Sequence, residues 1–457
     1  MTSFLMGFKK GNMQKSMIEG NTLKLILNFS IPLLLGNLFQ QFYNVVDAAI
    51  VGQTLGSYAL AAVGASSSVQ FLILGFCMGI CQGFAIMVSQ SFGAKRLDEM
   101  HTYIYAGAVW TAITAFVVSI LVVVFCADIL HILQVNDEIF KDAYAYLVVI
   151  FAGIPFTLLY NYLSAILRAI GDSKTPFLFL AFSAVLNIGL DFFCILVLKW
   201  GCAGAAIATI FVQAVSGILC LLLIALKVNV LHIPKSSRYV DKQHSLKLLA
   251  MGVPMGLQFS ITAIGSMVMQ SANNALGTIY VSGFTAGMRI KSLMMCPFDA
   301  LGAAVSTFLS QNYGACKLDR IRDGYHKGVM VSILYGAFAC VVMVFFGRIL
   351  SMMFVSANES QVLNASALYL RRMGYFYPVL GILITTRMSV QGLGYSARAM
   401  LAGFVEMIAR CIVALCFVPI FKYNAITWAD QAAWVAATLV LIPLWVSAMR
   451  AVQKKMS

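Results

Sequence analysis

The chain has 457 residues, of which 61% are hydrophobic and 11% charged, with a formal net charge of +14. Soluble domains carry roughly 45–50% apolar and about 25% charged residues, so a mean hydropathy of +0.88 excludes a soluble globular fold. The positive excess needs no nucleic acid: basic residues gathered on one side of a membrane, facing an anionic leaflet, account for it.

In chain order, residues 1–24 are polar and basic and are expected to form a cytoplasmic N-terminal segment, with no cleaved signal peptide before the first apolar run. A first six-helix lobe is expected over 25–226, with spans of about 20 residues centred near Leu35, Leu72, Phe116, Phe151, Leu186 and Phe211. The first span carries Pro32 and Asp47, the fifth Asn187 and Asp191, the sixth Thr209. Residues 227–246 are basic, polar and contain Pro234, and read as a cytoplasmic inter-lobe linker. A second lobe over 247–449 has spans centred near Ile261, Ala300, Val341, Leu380, Ile412 and Leu439, and 450–457 form a cytoplasmic tail. The segments are continuous apolar runs rather than dyad alternations, so the expected fold is an all-α polytopic membrane protein of twelve transmembrane helices, not a β-barrel.

The two lobes say nearly the same thing. SQSFGAKRLD from Ser89 recurs as SQNYGACKLD from Ser310, 221 positions later, and Leu55-Gly56 recurs as Leu276-Gly277 at the same offset. Pro32 matches Pro254 at 222, while Pro155 matches Pro378 and Gly171 matches Gly394 at 223. Such self-similarity means two copies of one unit. Six spans per copy return the chain to its starting side, so the copies are parallel repeats, a construction found in secondary transporters. Of the 31 Lys and Arg residues, 22 fall on one side, among them Lys9, Lys10, Lys15, Lys95, Arg96, Lys317, Arg320 and Arg387. The positive-inside rule then places both termini in the cytoplasm.

Eleven cysteines are scattered and form no CxxC, and the five histidines sit in loops or at span ends. They suggest neither a disulfide framework nor a metal site. No Walker, HExxH or dinucleotide motif appears, and no nucleophile–base constellation, so no enzyme and no cofactor are expected. Chemistry must lie in intramembrane charge, where each ionisable group costs ~2.5–3.5 kcal/mol or more and is a functional hypothesis by default. Asp47 and Asp191 have no basic residue within a helical turn, and Asn187 lies one turn before Asp191 on the same face. Two carboxylates facing one cavity repel unless one holds a proton or a cation sits between them. Asp299, in CPFDALG, has Arg289 and Lys291 as candidate partners on its own span. Glu406 and Arg410 are four residues apart, a spacing that allows a neutralising, structural ion pair. Asp299, Glu406 and Arg410 together are the candidates for a secondary charged site. Abundant Met and aromatic residues suit flat, lipophilic cations through dispersion and cation–π contacts, although most serve as lipid-facing filler.

The chain resembles the multidrug and toxic compound extrusion (MATE) family over essentially its whole length. The resemblance is carried by IPLLLGNLFQQFYNVVDAAIVGQTLG, the paired SQSFGAKR and SQNYGACK, LRAIGDSKTPFL, and LNIGLD followed by GAAIAT. It implies a monomer in the bacterial inner membrane that exports small organic cations against H⁺ or Na⁺ by alternating access. It also implies a cation-coupling site at Asp47, Asn187, Asp191 and Thr209, with Na⁺ as a candidate metal there, and a helix hinge at Pro32. The chain departs from NorM-type members, which carry a Glu in the seventh helix; here neither the seventh span (245–270) nor the tenth (367–394) has an acidic residue. That departure favours coupling in the first lobe. The alternative is a lipid or lipid-linked oligosaccharide flippase of the same superfamily, which would need several free cations to hold a pyrophosphate.

Overall fold

The computed structural model describes residues 16–133 and 135–456. The first fifteen residues of the expected N-terminal segment, Lys9, Lys10 and Lys15 among them, lie outside the described residues, as do Gln134 and Ser457. Every regular element among the described residues is helical. The first copy contains α1 (Thr22–Leu55), α2 (Ser57–Gly93), α3 (Leu97–Val124), a short α4 (Cys126–Ile132), α5 (Asp137–Ala152), α6 (Ile154–Ala169), α7 (Lys174–Phe192) and α8 (Gly201–Lys227). The second contains α9 (Lys242–Asn274), α10 (Thr278–Gly314), α11 (Leu318–Ser351), α12 (Ser360–Gly374), α13 (Tyr377–Gly392), α14 (Ser396–Ile412), a short α15 (Val418–Phe421) and α16 (Tyr423–Met456). By length and composition, ten helices can cross a membrane, and α5 with α6 makes an eleventh span bent by 47°. The pair α12 and α13 begins 223 positions after α5 and α6 and holds the equivalent place in the second copy, although Arg371, Arg372 and Arg387 lower its apolarity below that of the other spans.

The fourth span was expected to be continuous through Phe151, and the structure breaks it there. Pro155 has no N–H with which to continue the ladder to the carbonyl of Phe151. Ser119 of α3 supplies the missing partner: its hydroxyl donates to that carbonyl at 2.7 Å. Gly153 lets the two halves turn around α8, since a Cβ at this position would meet Ile210 Cδ1 at 2.2 Å.

The repeat is visible in backbone conformation as well as in sequence. Gly56 and Gly277 have φ of 91° and 101°, Gly171 and Gly394 of 90° and 95°. These are left-handed values that glycine adopts without Cβ strain. Lys95 and Cys316 hold the equivalent place after the paired motifs, at φ 58° and 54°, without being glycine. At the second, Lys317 N donates back to Asn312 O at 2.9 Å, the 6→1 bond of a Schellman end. Cys316 is exposed, so Cys316→Gly removes left-handed strain and little else. A gain of roughly 0.5–1 kcal/mol is expected, read as a raised thermal unfolding midpoint in detergent.

The chain divides into two units, Leu35–Gly256 and Met17–Leu34 with Leu257–Ser457. These bounds differ from the lobes drawn on the sequence, because α1 and α9 are each shared between units, dividing two residues beyond Pro32 and Pro254. The expected linker counts with the first unit: His101 Nε2 of α3 meets Val230 O at 2.8 Å, and Tyr103 packs edge-on against His244. The strap before α1 counts with the second, held by the second copy of the paired motif. Met17 N donates to Gln311 Oε1 at 2.8 Å, Lys317 Nζ to Ile18 O at 2.9 Å, and Arg320 to Met17 O at 3.1 Å and Gly20 O at 2.9 Å. Each unit has its own apolar core, around Phe84, Phe151 and Phe179 in the first and Phe298, Phe308 and Trp434 in the second.

Candidate functional site

Three helices of the first unit bring the expected coupling residues together, and a fourth adds a tyrosine. Asp47 and Tyr43 lie one turn apart on α1, Asn187 and Asp191 one turn apart on α7, Thr209 on α8 and Tyr146 on α5. Asn187 is 2% exposed and Asp191 fully buried. Tyr43 Oη and Thr209 Oγ1 are 3.2 Å apart. With its amide oriented to match its surroundings, Asn187 donates to Asp191 Oδ2 at 3.2 Å and Tyr43 Oη at 2.9 Å, and its oxygen accepts from Thr209 N at 3.2 Å. The carboxyls of Asp47 and Asp191 are within reach of each other. Yet Asp47 Oδ1 and Asp191 Oδ1 are both buried without a hydrogen-bond partner. Two ionised carboxylates are acceptors only, and neither can satisfy the other. One proton between them supplies the missing donor. Tyr146, in contact with Gln70, stands in electrostatic reach of both acids.

Asp47, Asn187, Asp191 and Thr209 are legible in the sequence; Tyr43 and Tyr146 are not. Tyr43 had a usable signal, its i,i+4 spacing to Asp47; Tyr146 had none, because only the packing of α5 brings it in. Immediately after Asp191 the helix widens into a π-helical turn, Phe193–Val197, and the second unit repeats this at Val413–Phe417 just after Arg410. Such turns occur often at functional sites. The chain runs helically through Pro32, the expected hinge. The proline leaves one backbone bond of α1 unmade four positions upstream.

The secondary charged site takes a different form from the one expected. Glu406 pairs with Arg410 at 3.5 Å, as the spacing suggests, and also with Arg387 of α13. Arg387, counted with the basic loop residues, lies within the lobe with a side chain 12% exposed. Arg410 Nε donates to Asp430 Oδ1 of α16 at 3.0 Å, and Lys291 Nζ to Asp430 Oδ2 at 2.5 Å. Tyr369 Oη adds a bond to Asp430 at 2.8 Å. The result is a buried chain of alternating charge, Arg387–Glu406–Arg410–Asp430–Lys291, with a cation at each end. Asp299 stands apart from it and is exposed. Lys291 is not its partner: eight residues along a helix place the two about 12 Å apart and off a common face. Among the described residues no three His, Cys, Asp or Glu side chains form a metal-binding group.

A family model described as MatE matches residues 32–193 and again 254–416. The chain is 32% identical over 367 residues to a probable multidrug resistance protein, YpnP, of Bacillus subtilis, covering 80% of this chain and 81% of that one. It is 23% identical over 367 residues to a protein of Shewanella oneidensis named FAD transporter, covering 79% and 80%. A crystal structure of MATE in the bent conformation superposes with a TM-score of 0.89 at 20% identity, covering 98% of this chain and 100% of that one.

Proposed function

Since the chain belongs to the multidrug and toxic compound extrusion family, we propose that it exports amphipathic organic cations across a bacterial plasma membrane in exchange for protons. The observation that carries this reading is the Asp47–Asp191 pair of the first unit, two carboxyls within reach of each other, each with a buried oxygen that has no hydrogen-bond partner. A group that binds one positive charge and is otherwise unsatisfied is a switch for ion occupancy. The donor set favours H⁺ over Na⁺. Asn187 presents its nitrogen to Asp191, and its oxygen is taken by Thr209 N, so a hard cation, which wants several oxygens, loses one expected ligand.

In the proposed cycle the empty acid pair accompanies uptake of a cationic compound from the cytoplasmic side. Alternating access carries it outward. Protonation at Asp47 and Asp191 then changes how α1 packs on α7 and α8, with Pro32 as the flexing point, and the compound leaves. The ion drives this only through its different affinity for the two states. Both termini lie in the cytoplasm, the transporter works as a monomer and no cofactor is required.

The flippase alternative loses two of its three candidate cations. Of its candidate cations, Lys291 and Arg410 are committed to Glu406 and Asp430, which leaves Arg289 alone, too few to hold a pyrophosphate. A flavin dinucleotide, the cargo in the name of the Shewanella relative, carries the same group and meets the same objection. The test is efflux of a fluorescent lipophilic cation from proteoliposomes, with pH and Na⁺ gradients imposed separately. Release driven by the pH gradient alone is expected. Release driven only by Na⁺ would replace the proton, and response to neither gradient in folded protein would overturn the exporter.

A further inference from the structure

The second unit holds one intramembrane carboxylate that the charge chain does not use. Glu406 and Asp430 are each bound by two cations. Asp299 makes no ion pair or hydrogen bond among the described residues, and it is exposed. It lies near the middle of α10, a 37-residue helix, just beyond Pro297. The charged group nearest to it from another helix is Arg387 of α13, already paired with Glu406; Tyr377 and Cys296 are the other titratable neighbours.

An exposed charge at mid-span has two possible surroundings, lipid or water. Facing lipid costs an aspartate ~2.5–3.5 kcal/mol or more, and its short side chain cannot snorkel to the interface as Lys and Arg do. Ser282, Thr285 and Arg289 are also exposed on α10, as are the apolar Ile279 and Tyr280, but Arg289 is turned about 80° around the helix from Asp299. The hydroxyl of Thr285 is spent on Val281 O, so the cost of leaving Asp299 in lipid decides the matter, and it places this carboxylate in water. Arg289 lies ten residues, about 15 Å of helix rise, from Asp299.

The geometry points to Asp299 as a recognition carboxylate for the exported compound, taking the positively charged nitrogen of an amphipathic organic cation at a water-accessible point of the second unit. This assignment rests on the exporter reading and adds a division of labour to it. The acid pair of the first unit, Asp191 fully buried and Asp47 partly so, answers to the coupling ion. Asp299 is exposed, unpaired and open to a ligand much larger than a proton. The competing account makes it the counter-charge of the cation-ended chain, with no contact to cargo.

The experiment measures concentration dependence of efflux for a monocationic dye in proteoliposomes, comparing the parent protein with Asp299→Asn and Asp299→Glu. Loss of one charge contact is expected to raise KM about tenfold while the maximal rate stays within about twofold, and Asp299→Glu is expected to restore most of the affinity. Equilibrium dye binding to the detergent-purified variants gives the same ranking independently of flux. An unchanged KM with a reduced maximal rate would make Asp299 a counter-charge and overturn the assignment, as would no change in either quantity. Failure of the parent protein to move the dye would overturn the exporter reading itself.

Discussion

Replacing Asp47 or Asp191 with Asn abolishes coupled export while leaving the protein folded. An asparagine carries its own N–H donors, so it satisfies the opposing carboxylate much as a permanently bound proton would. The buried pair is then no longer a pair of orphans, and folding has no reason to suffer. What disappears is the difference between occupied and empty states, and a ligand with no differential affinity shifts nothing. Gradient-driven efflux is expected to fall by about a hundredfold, the upper end of ordinary coupling energies, with membrane yield and thermal midpoint near those of the parent. Full gradient-driven export by both single variants would remove the coupling role from the first unit.

Asp430→Ala is expected to have the opposite profile: a large loss of stability. This carboxylate accepts from Lys291, Arg410 and Tyr369. Removing it strands Lys291 and takes from Arg410 its better partner, in a site where both are buried. Breaking a buried pair from one side costs on the order of 3–5 kcal/mol. The effect is read as aggregation or a sharply lowered unfolding midpoint in detergent. Neutralising both ends, as in Asp430→Leu with Lys291→Met, is expected to recover much of the loss, because no unpaired charge remains at that end and well-packed apolar groups replace it well. A single variant of normal stability would show that the chain of charges is not holding α10, α14 and α16 together.

The contrast between these sites also explains what the sequence disclosed. Asp47 and the Asn187–Asp191 pair stand out because they are charges without basic neighbours, and i,i+4 spacing puts Asn187 on the face of Asp191. The apolar runs and the 221-residue echo give the span order for the same reason: both are local patterns along one chain. Arg387 misleads because it lies only five residues before the end of α13 and reads as a loop cation. Asp430 escapes notice because it sits two turns inside the start of α16, at the very edge of an apolar run centred near Leu439, where it reads as a loop-side residue. Nothing local pairs either of them; their partners are on other helices. The break at Phe151 and the two π-helical turns likewise depend on packing, although Pro155 marks the first.

The strap before α1 carries a consequence for biogenesis. Its fixed points, Gln311, Lys317 and Arg320, lie 294 to 303 positions further along the polypeptide. A ribosome delivers the chain from the N-terminus, and early parts fold as they emerge. The leading end of α1 therefore has to wait, already inserted and unfastened, until two-thirds of the protein has been translated. Closure of this contact is a late event in maturation. Translation that stops short of Arg320 leaves a chain with its first unit synthesised and its strap unanchored.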